Sequence, residues 1–303
     1  MTLLERIHTG RRHSPPRLVL YGTEGIGKST TAAAAPEPIF IPTEDGLDQI
    51  DCASFPLAGR FSDVEAALQA LIHERHDFQT VVIDSLDWLE RLIWDHLCQQ
   101  YGVTGIEKVD GGYARGYTHA LTHWRKVLAD LDTLRRKRGM CVILLAHAKV
   151  EKFEDPEHSS YDRYSPRLHK HANALITEWA DAVLFATRRI ITRADASGGG
   201  FGRDRTIAAG LGEAGGERIL RTVGSPSCVA KNRFNLPGEL PLAWSSLMEA
   251  LRVGQQPSAA DNPPPLRLTN PAPEPATAEQ SQVAEAPAAP ESPDPPVRPT
   301  FHA

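Results

Sequence analysis

The sequence predicts an α/β fold: a mostly parallel central sheet flanked by helices, with a β-hairpin region at its edge and a disordered C-terminal tail. Three observations lead there. Short runs of β-branched and aliphatic residues alternate with segments of helical period over residues 17–186. A glycine-rich stretch joins the first such run to the first helix. Near Gly254 the composition shifts, and more than half of the 24 prolines lie beyond it.

Residues 1–16 read as an N-terminal extension, basic but without an apolar stretch of signal-peptide length. Residues 17–21 (RLVLY) form the first strand, and a helix over 28–35 is stopped by Pro36. Residues 38–42 (PIFIP) form the second strand. Residues 62–75 have helical period, with Val64, Leu68, Leu71 and Ile72 on one face. The run 80–83 (TVVI) is continuously apolar, as a parallel strand buried on both faces must be. Helices follow over 86–101 and 117–138, and further strands over 141–146 (CVILLA) and 182–186 (AVLFA). Residues 187–235 are glycine-rich, with β runs at 205–208, 218–222 and 228–230, which predicts hairpins packed on the sheet edge. The core domain thus spans 17–253. Residues 254–303, rich in Pro, Ala, Glu and Ser, bury too little apolar surface to offset their ordering entropy and read as a disordered tail. That tail is either a solubilising extension or an acidic arm that competes with nucleic acid or recruits a protein partner.

The net charge of −5 is uneven. Beyond Arg252 there are six acidic and two basic residues, which leaves the rest of the chain close to neutral, with 31 basic and 32 acidic residues. Local basic patches therefore matter more than the total. Cys52, Cys98, Cys141 and Cys228 are scattered without a CxxC pair, so neither a zinc site nor a disulfide framework is indicated. His169 and His171, two apart with no cysteine nearby, read as surface residues. No apolar run approaches the length that crosses a bilayer. The expected location is the cytoplasm, with no membrane partner.

The stretch Gly22, Thr23, Glu24, Gly25, Ile26, Gly27, Lys28, Ser29 fits G-x-x-x-x-G-K-[ST] at every fixed position, between a strand and a helix. Glycines let the backbone wrap phosphates and aim N–H groups inward, and the start of the helix, with Thr30, adds its positive end. Lys28 is expected to reach the β- and γ-phosphates of ATP, and Ser29 to coordinate Mg²⁺. The second acidic partner of Mg²⁺ should end a central strand, which TVVID assigns to Asp84; the other role for Asp84 is to cap the next helix. A hydrolytic site also needs a group that activates water. Ser85 occupies the position directly after Asp84, so the carboxylate comes from elsewhere. Glu44 follows the PIFIP strand, whose carboxyl end opens onto the same crevice, with Asp45 as the alternative.

This arrangement resembles the RecA-like P-loop ATPases. There the catalytic Glu ends the strand after the P-loop helix, as Glu44 does, and a polar sensor ends the next central strand. His147 stands in that place, where the RecA pattern has Gln; its other reading is a hydrogen-bonded core histidine. RecA-like proteins also carry two basic residues, one apart, that reach a neighbouring subunit's γ-phosphate, and Lys231 and Arg233 have that spacing. Their other reading is a pair of surface cations. The set GTEGIGKST, PTEDGL, VIDSLDWLE, GGYARGY, LLAH and AKNRFNLP is most similar to the Sak-type ATP-binding proteins of phages and prophages, ATP-dependent single-strand annealing proteins. The resemblance covers roughly residues 17–242. It implies an ATPase that handles single-stranded DNA in recombination or replication, as a homo-oligomeric ring or filament with ATP at subunit interfaces. Arg233 departs from the family's second Lys, and the N-terminal segment is short for an added DNA-binding domain.

Two loops should face DNA. The first, 104–116, offers Lys108, Tyr113 and Arg115. The second runs from His147 to Lys170 and offers Lys149, Lys152, Tyr161, Arg163, Tyr164, Arg167 and Lys170. Cations interleaved with aromatics suit single strands, since every base has a π-face. Four acidic residues in the second loop leave an ordinary solvated loop as the alternative. The basic cluster 135–138 reads as helix-end cations complementing the dipole. Two rival functions remain: a replicative-helicase-like motor, and a nucleotide-gated loader or scaffold.

Overall fold

Strand β1 (Arg17–Gly22) has both faces buried, and its neighbours explain why. In the computed structural model, which describes residues 4–7, 10, 14–156, 159–194, 206–210 and 216–255, β1 sits between β5 (Cys141–Phe153) and β7 (Ala182–Arg188). The sheet order is β12-β10-β7-β1-β5-β4-β2-β3, with β2 (Pro38–Pro42), β3 (Ala53–Ser54) and β4 (Thr80–Asp84). From β7 to β3 every neighbouring pair is parallel. The antiparallel strands β10 (Arg218–Arg221) and β12 (Glu239–Pro241) extend the edge beyond β7. The short β11 (Lys231–Asn232) also pairs with β7, nearer its start.

Alternation along each strand divides the core in two. Val19, Tyr21, Val81, Ile83, Val142, Leu144 and Phe185 face one side. Helices α2 (Phe61–His73), α3 (Leu86–Tyr101), α4 (Arg115–Thr133) and α5 (Lys170–Trp179) cover them with Leu68, Leu89, Ile93, Trp124, Leu131 and Ile176. Leu18, Leu20, Val82, Ile143, Leu145 and Leu184 face the other side, under α1 (Lys28–Ala33) and α6 (Trp244–Gln255), which supply Ala32, Leu247 and Leu251. At about 25 cal/mol per Å² of apolar surface, this two-sided burial is the main stabilising contribution.

The expected parallel α/β fold is present, with differences in detail. Strand β5 does not stop at Ala146 but continues to Phe153 and pairs antiparallel with β6 (Tyr161–Pro166). The expected loop after His147 is therefore a β-hairpin arm. Cross-strand pairs hold it: Phe153 faces Tyr161, Glu151 faces Arg163, and the Arg163 guanidinium lies 4.0 Å from the Phe153 ring centroid. The run at 228–230 is not a strand; Cys228 makes only isolated bridges to Tyr164 and Ser225. The run at 205–208 falls in β9 (Thr206–Gly210), which pairs with β8 (Ile190–Ala194) in a separate ribbon rather than on the sheet edge. Helix α4 ends in a π-helical turn over Leu134–Arg138. There Arg138 donates to the Ile72 and Glu74 carbonyls, and Arg135 to that of Pro15, so these cations tie the domain together. The expected tail lies almost wholly outside the described residues. No helix among the described residues is long and apolar enough to cross a membrane.

Candidate active site

Register along the sheet brings the ends of β1, β2 and β4 level with His147, where β5 leaves the sheet. Gly22 on β1 pairs with His147 on β5, and Pro42 on β2 pairs with Asp84 on β4. Loops leaving the carboxyl ends of β1, β2 and β4, and the point where β5 leaves the sheet at His147, therefore share one crevice, where open parallel sheets bind ligands.

The glycine-rich loop is shaped by what surrounds it. A Cβ on Gly22 would lie 2.4 Å from the Ala186 carbonyl oxygen, so β1 and β7 approach too closely there for any side chain. Gly27 has φ +107°, a left-handed conformation that favours glycine, and a Cβ on it would meet Arg218 Nη1 at 2.7 Å. Thr23, Glu24 and Gly25 are exposed at the apex, whereas Ile26 is buried in the α1–α6 core and anchors the loop from below. Thr30 is exposed on α1. The Lys28 ammonium donates to the carbonyls of Gly22 (3.3 Å) and Thr23 (3.1 Å), lying back along the loop. Burial pulls its pKa below the ordinary lysine value, against the opposing pull of Asp84 and Glu44.

Ser29 Oγ donates to Asp84 Oδ2 at 2.6 Å. Asp84 Oδ1 is buried and has no hydrogen-bond partner among the described residues. Burial raises the Asp84 carboxyl's pKa, while the bond from Ser29 and the charge of Lys28 oppose that rise. A hydroxyl and an unsatisfied buried carboxylate oxygen side by side are the hard oxygen donors that Mg²⁺ takes, so these residues fit the ion.

Glu44 is fixed by the neighbouring strand. Thr43 N and Glu44 N both donate to the Asp84 carbonyl, at 2.7 and 3.3 Å. The Thr43 hydroxyl donates to the Ser85 carbonyl at 2.6 Å and accepts from Ser85 N at 2.8 Å. Glu44 Oε2 then lies 3.9 Å from His147 Nδ1, while Asp45 is exposed. Burial raises the Glu44 pKa, and His147 counteracts it. His147 is held in turn by Asp87, which sequence reasoning missed. Its backbone N donates to Asp87 Oδ1 and its Nδ1 to Asp87 Oδ2, each at 3.0 Å. Burial pushes the Asp87 carboxyl up, but the bonds from His147 outweigh it and hold the pKa below the ordinary value. Glu44, Asp87 and His147 thus form one cluster, each offering an atom within 4.8 Å of the others. A sequence signal for Asp87 exists: it falls in the stripe of α3 that also carries buried Leu86, Leu89 and Ile93.

Lys231 and Arg233 are not at this chain's own phosphate loop. Lys231 pairs with Val183, three residues before the Ala186 that pairs with Gly22, so it lies about 10 Å lower along β7. Its ammonium donates to the Thr177 and Glu178 carbonyls at the end of α5, at 2.8 and 2.7 Å. Arg233 Nη1 lies 3.5 Å from Asp181, which also pairs with Arg17.

The two expected DNA segments are brought side by side. The Tyr117 ring, just after the first, stacks on His169, at the end of the second, with centroids 4.0 Å apart and planes 6° apart. His169 is thus half-buried against a ring rather than a free surface group. The first segment is anchored by buried Ile106 and Val109, and its apex has five successive positive φ values, from Asp110 to Ala114. Tyr113 is 94% exposed there. Lys108 donates to Thr104, and Arg115 is within 3.8 Å of Asp110. On the arm, Lys149 donates to the Leu168 carbonyl, Arg163 pairs with Glu151, and Arg167 lies 3.2 Å from Glu24 of the phosphate loop. Tyr161 packs on Phe153 and Tyr164 on Phe185. Lys152 and Lys170 are exposed.

A parallel sheet with this loop at the end of its central strand, and a buried carboxylate ending β4 on the far side of β5, defines the P-loop ATPase class. Residues 14–234 match the family model described as an AAA domain, and the chain belongs to that family. It is also similar to the SPbeta prophage-derived uncharacterized protein YorG of Bacillus subtilis (strain 168). The two are 23% identical over 172 residues, 55% of this chain and 49% of the relative, so the chain spans about half the length of that protein.

Proposed function

We infer that this chain hydrolyses ATP in a RecA-type site and acts on single-stranded DNA as a homo-oligomer. The observation that carries the hydrolytic part is the convergence of Lys28, Ser29, Asp84, Glu44 and His147 on one crevice. Ser29 and Asp84 would hold Mg²⁺, which would supply screening of the phosphate charge. Lys28 turns from the Gly22 and Thr23 carbonyls toward the β- and γ-phosphates. Glu44 accepts a proton from the attacking water, and His147, fixed by Asp87, lies beside it to sense the terminal phosphate. Lys231 and Arg233 serve a neighbouring subunit's site.

The DNA part is supported by the exposed Tyr113, by the Tyr117–His169 stack that joins the two segments, and by the cations Lys152 and Lys170. The relative's name describes a prophage-derived protein, which suits a role in phage-type annealing or replication. One observation favours a second reading. Lys149, Arg163 and Arg167 are paired within the chain, as expected of a nucleotide-gated loader that binds protein rather than DNA.

ATP turnover measured with and without single-stranded DNA, against duplex DNA and Lys28→Ala controls, tests both parts. Loss of turnover in Lys28→Ala with stimulation by single strands alone is the expected result. Turnover indifferent to DNA moves the reading to the loader, and turnover surviving in Lys28→Ala overturns the site.

A further inference from the structure

The arm is mounted on α3 at both of its roots. It leaves the sheet at His147, whose backbone N donates to Asp87 Oδ1 at 3.0 Å. It returns at His169, whose backbone N donates to both carboxylate oxygens of Glu90, at 3.1 and 2.9 Å. Asp87 and Glu90 are three residues apart, which puts them on one face of α3 one turn from each other, and both are about 4% exposed. Between the roots, Arg167 N donates to the His147 carbonyl and Lys149 Nζ to the Leu168 carbonyl, each within 2.8 Å, so the two strands are also tied where they meet α3. Helix α3 itself starts two residues after Asp84, with Ser85 as its N-cap.

Buried carboxylates are costly unless something requires them. Asp87 and Glu90 are both nearly buried, and both are engaged by the main chain of the arm. What they do is accept main-chain N–H groups that the strand ladder and α5 leave over. We propose that Asp87 and Glu90 are positioning residues: they make α3 a two-point mount that carries the Asp84 end of the crevice, His147 and the β5–β6 arm as one body, so that nucleotide in the crevice changes the arm. This rests on the ATP-site reading above, but not on what the arm binds.

The test uses the full chain with a non-hydrolysable ATP analogue and Mg²⁺. Three quantities are read: analogue affinity, kcat and KM for ATP, and amide hydrogen exchange of the arm, residues 148–153 and Tyr161–Pro166, with and without the analogue. In wild type the analogue slows arm exchange several-fold, about threefold or more. In Glu90→Ala the analogue still binds within about threefold of wild type, yet the exchange response is lost; Glu90→Gln, whose amide oxygen still accepts from His169 N, restores it. Asp87→Asn keeps one acceptor for His147 N but presents an NH₂ group to Nδ1, so kcat falls about tenfold or more while KM moves little. A merely structural role would lower stability in all variants without separating kcat from KM or abolishing the nucleotide response. An arm that ignores the analogue in wild type, or responds equally in Glu90→Ala, overturns the mount. Wild type that binds no analogue overturns the ATP-site reading first, and the mount with it.

Discussion

At the scale of single residues, burial and neighbouring groups pull the site's carboxylates in opposite directions. Glu44 sits half-buried between the Asp84 carbonyl and His147, so its negative charge is cheapest when His147 is near. On the function proposed above, Glu44→Gln keeps the shape and hydrogen-bonding reach but loses the proposed base. It should therefore bind ATP within about threefold of wild type while kcat drops on the order of 10²–10⁴-fold, which calorimetry and steady-state turnover check together. Glu90 gives a pH prediction. Burial raises its pKa from 4.5 to about 7, with the His169 N–H and Lys149 on β5 opposing the rise and Asp87 on α3 adding to it. The folded state holds this proton more tightly than the unfolded chain. The group's contribution to stability is full below pH 4.5 and is lost as pH rises through 7. Denaturant melts at pH 5 and pH 8 should show wild type losing more stability than Glu90→Gln. The phosphate-loop residues were legible because their spacing is a motif. Asp87 and Glu90 were not, because an acid in an apolar stripe of helix reads as a breach of pattern until the partner strand is known.

At the scale of elements, close approach replaces motif as the constraint. Gly116, the second residue of α4, packs on the preceding segment so tightly that a Cβ would lie 2.0 Å from the Ile106 carbonyl oxygen. Gly116→Ala should cost roughly 1–3 kcal/mol by overpacking. For a domain of this size that lowers the melting temperature by about 2–4 °C per kcal/mol, readable by calorimetry. Strands β1, β4 and β7 could be read from sequence because burial on both faces leaves a continuous apolar run. The outer half of β5 could not: Lys149 to Phe153 alternate between half-buried and exposed, and only pairing with β6 makes them a strand. Helix α5 escaped for a related reason, since Ala172 and Ile176 are its sole buried residues and give too weak a period.

At the scale of the whole molecule, Lys231 and Arg233 separate the two assembly states. Both are held at the lower end of β7 by α5 and Asp181, away from the chain's own phosphate loop. If they complete a neighbour's site, Lys231→Ala mixed with wild type should reduce turnover per wild-type chain as the variant fraction rises. Strictly additive rates would mean that each chain works alone. The sheet also limits how copies can meet. Its outermost strand on one side, β12, has three residues and ends in Pro241, which has no N–H to donate; on the other, β3 has two residues, both exposed. Neither margin of the central sheet is a template on which another chain's strand could be laid down. Among the described residues, edge-to-edge aggregation is disfavoured at these two margins by strand length and by Pro241, so an ordered assembly of copies has to use other surfaces.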